Sequence, residues 1–134
     1  MHSYFLAFLA MFTLVSTPTL AVAADEEQAP PEIGYYALKP SIVSNLTGGP
    51  RYIRCDVQLM TEYASELPKI ELHEPALRHT ILMLIAGQDG NQLKSREGKE
   101  SFRQAALDAV QKQLKALTGK TLVADLYFTN YYVK

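Results

Sequence analysis

Three histidines, one cysteine and a scatter of carboxylates are the side chains of this 134-residue sequence that could hold a metal or attack a substrate. His73 and His79 stand six residues apart, which sets them far around a helix from each other, and "HEPALRH" lacks the spacing of a helical zinc motif. Both are read as surface or capping residues, and no metal is assigned. Cys55 falls on the apolar side of an alternating segment, where a thiol packs as a small hydrophobe and has no base beside it to make a thiolate. Being the single cysteine, it leaves no intramolecular disulfide. Asn45-Leu46-Thr47 has the form of a glycosylation sequon, but Asn45 reads better as a strand-end or turn residue. The sequence has no glycine-rich phosphate loop, no paired carboxylates in a recognisable setting and no serine-nucleophile motif. The expectation is a protein that is not an enzyme, with no catalytic residue and no cofactor.

The tyrosines near the C-terminus offer contact chemistry instead. A period of two puts Tyr127, Thr129, Tyr131 and Val133 on one face of a strand, and Leu126, Phe128, Asn130 and Tyr132 on the other. Leu122, Ala124, Leu126 and Phe128 form the more apolar set and are assigned to the core. Tyr127 and Tyr131 then make an exposed aromatic patch suited to a protein interface.

The elements that carry these residues follow from hydrophobic periodicity. Residues 35–38 and 42–46 read as short extended segments flanking Lys39-Pro40, since the residue before proline is pushed away from helical geometry. After the turn Thr47-Gly48-Gly49-Pro50, residues 51–61 alternate, with Ile53, Cys55, Val57 and Leu59 on one side. The two form a predicted hairpin. Leu77, Ile81, Leu84 and Ile85 then mark a helix over residues 74–86, with Pro75 in its first turn. Residues 91–97 are read as a link. A second, longer helix presents Phe102, Ala105, Ala106, Ala109, Val110, Leu114 and Leu117 as one stripe, stops at Gly119, and is followed by a strand from Thr121. The order predicts an α+β domain over residues 33–134, a small, mainly antiparallel sheet with two helices packed on one face.

The remaining N-terminal part has a different character. Residues 4–15 are mostly apolar, too few to span the hydrocarbon of a bilayer, and Ala21-Val22-Ala23 suits a signal peptidase, so residues 1–23 are read as a cleaved signal peptide. The alternative is an uncleaved inner-membrane anchor facing the periplasm. Residues 24–32 are an acidic, proline-containing linker, expected to be flexible. Removing Asp25, Glu26, Glu27 and Glu32 from the 14 acidic residues leaves 10 against all 13 basic ones, a basic excess too small and dispersed for nucleic-acid binding.

Three blocks, "YYALKPSIVSNLTGGPRYIRCDVQL", "LRHTILMLIAGQDGNQLKSREGKESFRQAALDAVQKQL" and "VADLYFTNYYVK", together resemble the flagellar basal-body-associated FliL family. The likeness rests on Leu38, Pro40, Asn45 and Leu46 in the first block. In the second it rests on Leu93, Ser95, Gly98, Lys99 and Glu100, and in the third on Tyr127, Phe128 and Thr129. The resemblance implies a stomatin-like (SPFH-like) fold and a periplasmic, ring-forming homo-oligomer. It also implies partners among the stator and basal-body proteins of the flagellar motor, and a contribution to motility and swarming. Members of that family carry a basic tail and a full membrane helix, whereas here no Lys or Arg precedes the apolar run. A periplasmic envelope or binding module with the same fold and no motor role is the alternative reading.

Overall fold

A computed structural model describes residues 30–134, and the expected signal peptide and most of the acidic linker lie outside the described residues. Its sheet is built around β2 (Tyr52–Thr61), flanked antiparallel by β1 (Gly34–Asn45) and β3 (Asp125–Val133). The alternation of β2 is realised as expected: Ile53, Cys55, Val57 and Leu59 are all buried. The two segments around Lys39-Pro40 are one strand whose register shifts between Leu38 and Ile42. At that break the strand is held from outside. The Lys39 amide donates to Glu74 Oε1 at 3.0 Å, the Arg78 guanidinium donates to the Pro40 carbonyl, and the Tyr36 hydroxyl donates to the second oxygen of Glu74.

Two long helices lie where periodicity put them, α2 (Glu74–Ala86) and α4 (Arg96–Thr118). Two helices is nevertheless an undercount. The described residues also contain α1 (Leu67–Leu72), α3 (Gly90–Lys94) and a 3-10 turn at Ala64–Glu66. Elements of five or six residues are too short to repeat an apolar stripe, and their signals are local: Pro68 in the first turn of α1, and Asp89 accepting the Asn91 amide at 2.8 Å before α3. Phe102, Ala106, Val110 and Leu114 of α4 are buried as expected and Leu107 joins them, while Leu117, in the last turn, is exposed. Gly119 closes α4 at φ 82°, the left-handed conformation expected of a glycine C-cap.

The chain after Gly119 departs further from expectation. The strand begins at Asp125 rather than Thr121, because Leu122 sits at φ 55° and breaks the extended run. Val123 is therefore the buried residue of this approach, Leu122 is half-buried and Ala124 is exposed. Helices and sheet share one core, from Leu38 and Ile42 through Ile70, Leu77, Ile81 and Ile85 to Phe102, Val110 and Leu126. The opposite face of the sheet carries exposed Tyr35, Val43, Tyr127 and Tyr132. The architecture is α+β, a three-stranded antiparallel sheet with its helices on one face. No helix of the described residues is long and apolar enough to cross a membrane.

Candidate interaction surface

The second and third sequence blocks meet where α3 turns into α4 beside β3. Ser95 caps α4, its Oγ accepting the Gly98 amide at 2.9 Å while its hydroxyl donates to the Gln92 carbonyl at 2.8 Å. Gly98 lies so close that a Cβ there would overlap the Gln92 carbonyl oxygen, which explains a glycine inside a helical turn. Leu93 is buried and its carbonyl accepts the Tyr131 hydroxyl at 2.7 Å. Lys99 Nζ sits 4.7 Å above the Tyr131 ring, close enough for a cation–π contact. Phe128 stacks on Phe102 at 5.4 Å, with ring planes 7° apart, and tilts against Tyr131 at 5.2 Å.

Arg103 ties this corner to the sheet. Its guanidinium donates to both oxygens of Glu100 at 2.7 and 2.9 Å, to Asp125 Oδ1 at 2.6 Å and to the Leu126 carbonyl at 3.0 Å. The hydrogen bonds from Arg103, then Gln104, pull the Glu100 carboxyl down to about 2. Partial burial pushes Asp125 up, but the Leu126 amide and the Arg103 guanidinium outweigh it and hold the carboxyl below its usual range. Arg103 follows Glu100 by three residues, about one turn of helix. Its spacing from Glu100 was a visible signal, but its reach to Asp125 depends on a chain reversal that no local pattern encodes.

Tyr131 is not on the face assigned to it. β3 carries a bulge opposite Asp56 and Val57, where Phe128 and Thr129 together face one residue of β2. The extra residue inverts the alternation, so Tyr131 and Val133 turn toward the core and Tyr132 turns out. Burial of the Tyr131 hydroxyl pushes its pKa up to about 12. The exposed aromatic patch is thus Tyr127 with Tyr132, joined by Tyr52, whose ring lies 6.0 Å from that of Tyr132. The Tyr127 hydroxyl reaches Met60 Sδ at 3.8 Å on the same outer face.

The first block lies across the sheet. Leu38 is buried in β1, Pro40 is exposed at its register break, Asn45 ends the strand and Leu46 is half-buried beyond it. Its turn still touches the second block: Gly90 donates its amide to the Thr47 carbonyl at 3.0 Å, and the Thr47 hydroxyl donates to the Gln88 carbonyl at 3.0 Å. His73 caps the junction of α1 and α2, six residues from His79 on α2. Cys55 is buried, and that burial pushes its thiol up to about 12, far from a reactive thiolate. Groups of three or more His, Cys, Asp or Glu that could hold a metal do not occur among the described residues.

What this arrangement can do is present shaped protein surface. One part is a wet face with aromatic side chains. The other is a cleft of about 460 Å³ between the first turns of α4 and β3, lined by Arg96, Lys99, Glu100, Arg103, Tyr127 and Phe128. The chain matches the family model described as flagellar basal body-associated protein FliL over residues 35–133. It is also similar to the flagellar protein FliL of Aquifex aeolicus (strain VF5), with 26% identity over 109 residues, 79% of this chain. The match spans 65% of that relative's length.

Proposed function

The chain belongs to the flagellar basal body-associated protein FliL family, and from that premise we propose that it supports the stator units of the flagellar motor through protein–protein contacts. The family match across nearly all of the folded domain is the observation that carries this reading, since a fold alone would not assign a role. The uncovered sheet face with Tyr127 and Tyr132 supports it, because tyrosine is favoured where a surface must be apolar and hydrogen-bonding at once. The protein works in the periplasm as a stomatin-like homo-oligomeric ring, exported through residues 1–23. Deletion of its gene is expected to reduce swarming on stiff agar, with recovery when the gene is returned. Undiminished swarming would overturn the motor role. Sequencing the N-terminus of the native protein is expected to give Ala24 first, and a start at Met1 would replace export and cleavage with anchoring.

A further inference from the structure

The two edges of the sheet are unlike. β1 is closed to strand pairing at its middle, where Pro40 has no amide hydrogen and α2 takes up the Lys39 amide and the Pro40 carbonyl. β3 has no proline, and the Arg103 guanidinium on the Leu126 carbonyl, with Asp125 on the Leu126 amide, protects only its start. Tyr52 and Lys134 exchange both backbone hydrogen bonds, at 2.9 and 3.0 Å. By the alternation of an antiparallel ladder, Tyr132 and Asn130 also face β2, and the amides and carbonyls of Tyr131 and Val133 point away from the sheet. No backbone or side-chain group among the described residues caps them.

Beside this open stretch lies the α4–β3 cleft. Its one lining carboxylate, Glu100, is held by Arg103, as is Asp125 at the start of β3, whereas Arg96 makes no ion pair among the described residues and Lys99 rests on the Tyr131 ring. We propose that the free edge of β3, with Arg96 and Lys99 beside it, is a strand-addition site for an extended acidic segment of a second protein. The backbone of Tyr131 and Val133 supplies pairing, and the two cations select carboxylates on the incoming strand. A second copy pairing β3 to β3 fits less well, because Lys99 of each copy would come to the same seam. This inference rests on edge geometry and charge, and stands whether or not the protein serves a motor.

The test uses the full chain and a labelled synthetic peptide alternating glutamate and threonine, with a lysine–threonine peptide as control. Anisotropy is expected to show the glutamate peptide binding at least about tenfold tighter, an advantage that added salt erodes. Arg96→Glu with Lys99→Glu, both on the helix surface, should reverse the preference. Methylating the peptide's backbone nitrogens on one edge should abolish binding, and on the other edge should leave it intact. Amide exchange at Tyr131 and Val133 should slow when peptide binds. Equal binding of both peptides, indifference to methylation on either edge, or slowing confined to β1 would each overturn the proposal. So would an edge occupied without peptide, seen as self-association by light scattering or as binding gained only when residues 24–29 are removed.

Discussion

Arg103 holds four oxygens at once, and its removal reaches both the helix and the strand. Exchanging it for methionine keeps the aliphatic stem but leaves Asp125 and the Leu126 carbonyl without their charged donor. Arg103→Met is expected to lower stability at neutral pH by about 1 kcal/mol, the usual net scale of one intramolecular hydrogen bond, because solvent screens much of the charge at this partly exposed site. The acid limb supplies a more specific signature. Glu100 is ionised down to about 2 in the folded chain against an ordinary 4.5, so its contribution is complete above about 4.5 and is lost as pH falls toward about 2. Asp125 shifts in the same direction. Urea unfolding of the native protein should therefore weaken across that interval, and the Arg103→Met variant should show a shallower decline. Parallel declines would mean that Arg103 does not set these carboxyls.

At the scale of elements, the α3–α4 corner is a close-packed joint. A methyl group at Gly98 has no room beside the Gln92 carbonyl, so Gly98→Ala should cost about 1–3 kcal/mol, as overpacking does. The check is a lower urea midpoint with an unchanged slope, and an unchanged midpoint would show that the corner yields freely. This joint was only partly legible in the sequence. Ser95 and Gly98 stood out as a pair of family residues, and α2, α4 and β2 were readable because each repeats its apolar residues often enough to define a face. α1 and α3 repeat nothing, and they form because capping and packing favour them. The bulge at Thr129 was beyond a strict period of two: it is fixed by the pairing of β3 to Asp56 and Val57 across more than seventy residues of intervening chain. Hence Tyr131 was placed outside and Tyr132 inside, the reverse of what the folded chain does.

For the molecule as a whole, the sheet divides labour between its faces. The inner face holds the core, and the outer one carries exposed side chains such as Tyr35, Val43, Tyr127 and Tyr132. Tyr127→Glu combined with Tyr132→Glu is expected to change stability by no more than about 0.5 kcal/mol per site, as exposed substitutions do, while failing to restore swarming to a deletion strain. Full restoration by this folded variant would exclude the outer face as the working contact. Strand order has a mechanical consequence as well. β1 begins beside Thr61 and Met60, at the end of the sheet where β3 also begins, and β3 finishes at the opposite end beside Ile53 and Tyr52. Tension applied between Gly34 and Lys134 would drag β1 and β3 in opposite directions along β2. Both ladders would then be loaded in shear, with many hydrogen bonds bearing force together, rather than opened one bond at a time. A domain wired this way can transmit a steady pull between its two ends while keeping its core intact.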